Sequence, residues 1–266
     1  MSDPTAPVRF RGGGFAPASS RYSAWLAFAA VLAVWQIVCG LGWVSPLFLP
    51  SPARIVAALW GLAADGEIWP HVWASFLRIA GGWLVGTAIG LVVGLAMGLF
   101  TVSRAVGMPM VSALFPIPKI ALLPLLILWL GVGETSKIAT IALGVFFPTV
   151  IAVYSGVDAV PRNLIRMAQS FAVPHAAIVW KVILPGAMPA ILAGFRISAA
   201  TALLLVVSAE MIGAETGIGA FVLQAGSLMQ TDRLLAGVTI LSLFGLAVGR
   251  AISLLERRLL RWREGV

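Results

Sequence analysis

The sequence has little charge, one cysteine and two histidines. Of its 266 residues only 11% are charged, whereas 60% are hydrophobic. A soluble domain carries roughly a quarter charged residues, so this chain lacks the polar surface needed to cover a water-soluble core of its size. The single cysteine, Cys39, excludes an intrachain disulfide and lies in an apolar run, where it is interpreted as a small packed hydrophobe. These absences predict that the bulk solvent of this protein is lipid.

Catalytic and nucleotide-binding motifs are absent from the sequence. Residues 131–137 contain glycines and a lysine but not the Gly-Lys-Ser/Thr ending of a phosphate-binding loop. His71 and His175 are predicted on opposite sides of the membrane and so form no metal pair. Metalloprotease motifs, a serine elbow and an intramembrane carboxylate pair are missing as well. We therefore expect a protein that is not an enzyme, binds no cofactor or metal, and takes energy from a partner or an ion gradient.

Long apolar runs are present instead. A membrane-spanning helix needs about 20 mostly apolar residues, and six segments satisfy this requirement: 23–41, 76–100, 108–130, 136–155, 190–212 and 234–254. Four prolines and Lys119 interrupt the third, so it should be a broken helix facing other helices or a wet cavity. The predicted fold class is an all-α membrane protein with about six transmembrane helices.

Lysine and arginine are distributed unevenly along the chain, and such residues concentrate in cytoplasmic loops. With both termini in the cytoplasm, the inner segments hold Arg9, Arg11, Arg21, Arg104, Arg162, Arg166, Lys181, Arg257, Arg258, Arg261 and Arg263, whereas the outer ones hold Arg54, Lys137 and Arg233. This orientation explains most of the +8 net charge without a nucleic-acid partner. We expect a multi-pass protein of a cytoplasmic membrane.

The resulting organisation has five parts. Residues 1–22 form a mobile cytoplasmic tail, 23–41 the first span, and 42–75 an outer loop with a short helix around 55–62. Residues 76–255 form the core membrane domain, and 256–266 a basic cytoplasmic C-terminus. Within the core, the inner loop 156–189 keeps a helical apolar pattern around 164–171, and Pro174 separates this from a second stretch, 176–183, which ends at Pro185. Two short helices on the cytoplasmic face would suit contact with a partner.

Glycine recurs every fourth residue in the second span, at Gly82, Gly86, Gly90, Gly94 and Gly98. A stripe of this kind lets another helix approach closely. It is interpreted either as tight packing within the bundle or as a surface that slides during gating.

Ionisable residues inside the spans need partners or a function. Glu210, beside Ser208, either lines the substrate pathway or pairs with Arg78 at the outer end of the second span. Lys119 lies among prolines in the broken third span, and broken helices often line substrate sites in transporters. Lys119, Ser208 and Glu210 are therefore the candidate pathway residues.

The inner loop resembles the "EAA" loop of bacterial binding-protein-dependent ABC importers. That pattern has Glu-Ala-Ala, three residues, Gly, nine residues and Ile-x-Leu-Pro, and here the corresponding segments are 166–172 and 182–185. The resemblance implies that Arg166, Met167, Ala168, Gln169, Ser170, Phe171, Ala172, Val173, Pro174 and His175 contact the ATPase. Two of the departures from the pattern affect the charge and the turn of the loop. Arg166 replaces Glu, and Ala172 replaces Gly, so Ala172 must adopt helical geometry or a strained turn.

Further segments are similar to the nitrate/sulfonate/taurine subfamily, in the expected order over most of residues 24–262. They are 49–52, 122–125 with 129–131, 183–187 with Pro189, 209–212 and 230–232. The resemblance implies a type I importer permease (MetI-like) fold and import of a sulfonate, taurine or nitrate-like anion. It also implies three partners: a cytoplasmic ATPase dimer that holds ATP and Mg, a second permease subunit expected to be another copy of this chain, and a periplasmic or lipid-anchored binding protein. The alternative is a gradient-driven secondary transporter or channel, which would usually show an inverted repeat or more intramembrane carboxylates.

Overall fold

The computed structural model describes residues 23–260, and over this range the regular structure is helical. The helices are α1 Ser23–Gly40, α2 Pro52–Ala64, α3 Ile68–Leu99, α4 Thr101–Leu114, α5 Leu123–Leu130, α6 Glu134–Asp158, α7 Arg162–Ser170, α8 His175–Ile178, α9 Leu184–Gly213, α10 Ile218–Ser227 and α11 Thr231–Leu259. A 3-10 turn, Lys119–Leu122, precedes α5, and a π-helical turn, Val179–Ile183, joins α8 to α9. The predicted tail 1–22 and residues 261–266 lie outside the described residues. The prediction of an all-α fold is confirmed.

The chain divides into two compact units at residue 57. In the first, the side-chain oxygen of Gln36 accepts a hydrogen bond from the Ala53 amide at 3.2 Å. Cys39, which is half-buried, lies 3.5 Å from the carbonyl oxygen of Leu49. These contacts fix the loop between α1 and α2.

The second unit, from residue 58 onward, is built around α6. This helix runs parallel to α3 on one side, where Gly82 lies against Ile141 and Gly98 against Val157. It runs antiparallel to α9 on the other side, where Gly156 lies against Ala187. Helices α4 and α5 lie between the two parallel helices in sequence and reverse the chain.

The glycine stripe of α3 faces α6 along its whole length. A Cβ atom at Gly86 would lie 2.4 Å from the carbonyl oxygen of Ala142, and one at Gly94 would lie 2.7 Å from the Cβ of Val153. A Cβ atom at Gly90 would lie 2.8 Å from the Cβ of Thr149. Such distances leave no room for a side chain, so the stripe is a tight packing face in this structure.

Four helical stretches are long and apolar enough to span a membrane: Ile68–Leu99, Glu134–Asp158, His175–Gly213 and Thr231–Leu259. Helix α4 together with the Lys119–Leu130 stretch gives a fifth candidate, bent by 88°. The bend lies within the predicted third span, where prolines remove backbone donors. The predicted first span corresponds to α1, whose described apolar part, Trp25–Gly40, belongs with the shorter helices.

The helices do not coincide with the apolar segments of the sequence. Helix α3 begins at Ile68, within the segment 42–75, which also contains all of α2. Residues 101–107, between the second and third apolar segments, belong to α4, and α10 lies between the fifth and sixth segments. Polar and aromatic residues at a membrane interface continue a helix as readily as apolar ones, and a hydropathy pattern does not register them.

The helix that follows Pro174 does not end at Pro185 as predicted. Residues His175–Gly213 form one continuous helical stretch. Pro185 lies directly after the π-helical turn and within the first two positions of α9, where proline is tolerated. The connection between α7 and the membrane helix α9 is therefore short and helical.

Candidate functional site

The first candidate site is α7, a strongly amphipathic helix at the end of the bundle that we call the coupling-loop end. Its residues Ile165 and Ala168 pack against a buried apolar cluster that includes Val153 and Val157 of α6. Because this face is held by the core, α7 has a fixed orientation relative to the bundle.

The neighbouring part of the same apolar face is exposed. Leu164, Met167 and Phe171 form it, and Phe171 is 77% exposed. We call these three residues the coupling surface. Exposed apolar residues on a helix outside the candidate membrane spans, left uncovered by residues 23–260, are typical of protein contacts.

The C-terminus of α7 ends in a Schellman motif. The Val173 amide donates to the carbonyl oxygen of Ala168 at 3.1 Å, and the Ala172 amide donates to that of Gln169 at 2.9 Å. Ala172 has a φ of +54°, a left-handed conformation that favours glycine. The sequence allows either helical geometry or a strained turn at Ala172. The structure has the strained turn, which costs about 1–2 kcal/mol.

The remaining residues of the predicted ATPase-contact segment fall in different places. Arg166 and Gln169 line a pocket beside α7. Ser170 donates its hydroxyl to the carbonyl oxygen of Met167 at 2.8 Å. Pro174 is the N-cap of α8, and His175, its first residue, is exposed.

The second candidate site is a buried polar cluster at the opposite end of the bundle. Glu210 of α9 is only 1% exposed. Its carboxylate accepts hydrogen bonds from the Ser75 hydroxyl at 2.7 and 2.9 Å, from Nη1 of Arg78 at 2.8 Å and from the Gly219 amide at 2.8 Å. The buried charge is therefore fully solvated by the protein.

Arg78 of α3 is also 1% exposed and joins four segments of the chain. Beyond Glu210, its Nε and Nη2 donate to the two carboxylate oxygens of Glu134 at 2.6 and 2.7 Å. Its Nη1 donates to the carbonyl oxygen of Thr216 at 2.6 Å. One guanidinium thus ties α3 to the start of α6, the end of α9 and the turn before α10, and the bidentate geometry suits arginine alone.

The turn before α10 closes over this ion pair. Gly217 has a φ of +131°, and a Cβ atom there would lie 2.3 Å from the carboxylate carbon of Glu210. The Ile218 amide donates to the Ser75 hydroxyl at 2.8 Å. His71 of α3 contacts the same turn, and its Nδ1 lies 3.1 Å from the Gly217 nitrogen. Only glycine permits this approach of the backbone to the charged pair.

The other two candidate pathway residues, Lys119 and Ser208, do not join this cluster. Nζ of Lys119 donates to the carbonyl oxygens of Leu114 at 2.7 Å, Phe115 at 3.2 Å and Ile117 at 2.7 Å. Ser208 donates to the carbonyl oxygen of Leu204 at 3.1 Å. The lysine thus donates to carbonyl groups at the break after α4, where the regular helical hydrogen bonds end.

Comparison with known proteins places the chain in a family. Residues 86–261 match the family described as "binding-protein-dependent transport system inner membrane component". The chain belongs to this family. The permease is 38% identical over 243 residues to the taurine transport system permease protein TauC of Escherichia coli, covering 90% of this chain and 88% of that one.

Two further comparisons extend this result. The permease is 38% identical to the putative aliphatic sulfonates transport permease protein SsuC of Bacillus subtilis, over 89% of this chain and 86% of that one. Among solved structures, an inward-facing MetNI methionine ABC transporter superposes with a TM-score of 0.64 at 21% identity, covering 71% of this chain and 94% of that one. The solved structure supports the fold alone. The predicted family, fold class and membrane location are confirmed.

The pairing of Glu210 with Arg78, one of the two alternatives from the sequence, is present in the structure. Sequence reasoning missed Glu134, Ser75 and the turn at Gly217. The signal for Glu134 was available, because an arginine buried within an apolar helix needs more than one acceptor. Ser75 and Gly217 carried no sequence signal, since both residue types are common in loops and helices.

Proposed function

We propose that the permease imports a small sulfonate and that an ATPase drives it through the coupling surface. One observation carries this proposal: α7 is fixed to the core by Ile165 and Ala168, while Phe171 at the end of the helix is 77% exposed. A rigidly seated helix transmits force, whereas a loose one absorbs it. By its charge distribution, we assign this end of the bundle to the cytoplasm.

The route of force from α7 into the membrane follows from the packing. Ile165 contacts the cluster around Val153 and Val157 of α6. These two valines lie directly against Gly94 and Gly98 of α3. A displacement of α7 would therefore move α6 and α3 together, because a close-packed contact has little compliance.

The cargo assignment rests on the relatives. Those with the names of taurine and aliphatic sulfonate permeases match about nine-tenths of this chain. By the same relation we assign ATP and Mg to the partner ATPase, delivery of the cargo to an extracytoplasmic binding protein, and the second half of the pathway to another copy of this chain. Lys119, Ser208 and Glu210 keep their place as candidate pathway residues.

The test of the coupling surface is co-purification of the tagged permease with the candidate ATPase. Changing Phe171 to Asp places a charge where an apolar groove is expected and should abolish capture. Changing it to Ala should weaken the affinity by about 10–100-fold, the loss expected when a phenylalanine contact worth roughly 1.5–3 kcal/mol is removed. Phe171→Leu, which keeps an apolar side chain, should retain most of the capture.

The control for charge is Asn163→Asp, which adds a carboxylate to the first turn of α7, where the helix dipole favours it. This variant should capture the ATPase as the parent does. Full capture by Phe171→Asp would contradict the assignment of the coupling surface. The cargo is tested separately by uptake of labelled taurine, an alkanesulfonate and nitrate, and uptake of none of them by an assembled transporter would contradict the cargo class.

A further inference from the structure

A pocket with a volume of about 340 Å³ lies beside α7, on the side away from the coupling surface. It is bordered by the corner between α3 and α4, by the end of α6 and by α7 itself. Four charged residues line it: Arg104, Asp158, Arg162 and Arg166. Its size lies at the lower end of the range for small-molecule sites, roughly 300–1,000 Å³.

The lining carries an excess of positive charge. Arg104 donates to Asp158 at 3.1 Å, and Arg162 lies 3.8 Å from the same carboxylate. Arg166 makes no hydrogen bond or ion pair with any residue in the described range 23–260. Three guanidinium groups therefore face one carboxylate, which leaves a net charge of +2 (3 − 1) in the lining.

Two helices begin at this pocket without a capping side chain. Thr101, the first residue of α4, and Arg162, the first residue of α7, both line it, and neither helix has a side-chain cap at its N-terminus. Helix N-termini favour anions, whereas the ends of α3 and α6 at the same pocket present carbonyl groups. The side-chain charge therefore decides the preference of the pocket, and it is positive.

Position 166 determines this excess. With glutamate there, as in the pattern that the loop resembles, two arginines would face two carboxylates and the lining would be neutral. The arginine converts a balanced cluster into one with donors available for a ligand. Guanidinium groups match the geometry of phosphate and related oxyanions.

We propose that this pocket binds a tetrahedral oxyanion, held by Arg166 with Arg104 and Arg162. The ligand is either the phosphate of an anionic phospholipid headgroup or a free oxyanion such as phosphate or sulfate. Because Arg104 belongs to α4 and Arg166 to α7, the bound anion joins the coupling helix to the α3–α4 corner. The occupancy of the pocket thus sets how firmly α7 is held on the side that the apolar core leaves open.

The experiment uses the full chain, purified in a neutral detergent and stripped of lipid. One arm measures binding of phosphatidylglycerol, with phosphatidylethanolamine for comparison, by native mass spectrometry. The other arm titrates inorganic phosphate and sulfate by calorimetry. The variants are Arg166→Gln and Arg166→Glu, and the matched control is Arg258→Glu, an exposed arginine of α11 outside the pocket lining.

The expected result is saturable binding in at least one arm, weakened about fivefold by the Gln variant and about 30-fold by the Glu variant, since each charge unit near the site is worth roughly a factor of five. The control should bind as the parent does. Binding confined to the lipid arm identifies a headgroup, and binding of phosphate or sulfate identifies a free oxyanion. The proposal is overturned if no probe binds saturably, or if Arg258→Glu weakens binding as much as Arg166→Glu.

Discussion

Replacing Arg78 with methionine is expected to destabilise the permease more than any other single change in the polar cluster. Glu210 is 1% exposed and would keep only the Ser75 hydroxyl and the Gly219 amide as donors. Its charge would then be buried without a counterion. Glu134 would also lose its partner, but its side chain is 59% exposed, so water would replace the guanidinium.

The same geometry gives the order of three substitutions. Removing one partner of a buried pair destabilises by about 3–5 kcal/mol, which is the expectation for Arg78→Met. Glu210→Gln leaves Arg78 with both oxygens of Glu134 and the Thr216 carbonyl, so the loss should be about 1–3 kcal/mol, the range for an imperfectly satisfied buried group. Glu134→Gln should cost roughly 1 kcal/mol or less, because an exposed partner is screened by solvent.

The assay is equilibrium or thermal unfolding of the detergent-purified chain, followed by intrinsic tryptophan fluorescence, with all variants in the same detergent. The double variant Arg78→Met/Glu210→Gln completes a thermodynamic cycle. Its loss should be at least about 1 kcal/mol smaller than the sum of the two single losses, because the residues are in direct contact. Equal losses for the three single variants, or strict additivity in the double variant, would refute this account of the cluster.

Further predictions concern the backbone. Gly94→Ala should destabilise the protein by about 1–3 kcal/mol through overpacking against Val153. Gly249→Ala, whose new Cβ would meet nothing within 4 Å, should be neutral or stabilise by roughly 0.5–1 kcal/mol. Unfolding midpoints compare the two variants, and equal effects would contradict the close approach of α3 and α6. Ala172→Gly should stabilise by up to about 1 kcal/mol, since it relieves the left-handed strain at φ +54°. Met229→Gly should act in the same way at the end of α10, where φ is +56°, and a lower unfolding midpoint for both variants would show that these turns are not strained.

Much of the fold could be predicted from local sequence. Length and hydropathy placed the helices now seen as α3, α6, α9 and α11, because a helix in lipid must satisfy its own backbone and be apolar over its length. The helical pattern around 164–171 predicted α7, and the recurring glycines predicted a close helix contact. Each of these features depends on residues close together in the chain.

The boundaries and connections could not be predicted in the same way. The sequence predicts that Pro185 ends a helix and that prolines break the third span. In the structure, Pro185 is accommodated after a π-helical turn, and only the third span is sharply bent. Whether a proline ends a helix depends on which carbonyl loses its partner and what replaces it. At the bend, Lys119 donates to three carbonyl groups, which no pattern of prolines indicates.

The sequence by itself determined that this is an all-α membrane protein with an amphipathic helix around residues 164–171. These properties follow from composition and periodicity, which act residue by residue. Only the tertiary structure decided what Arg78 and Arg166 do. Arg78 joins residues 56 and 132 positions away, whereas Arg166 pairs with no acid among residues 23–260 and lines the pocket beside α7. The contacts of a charged side chain depend on which residues lie near it, and the packing of α3, α6 and α9 determines which residues those are.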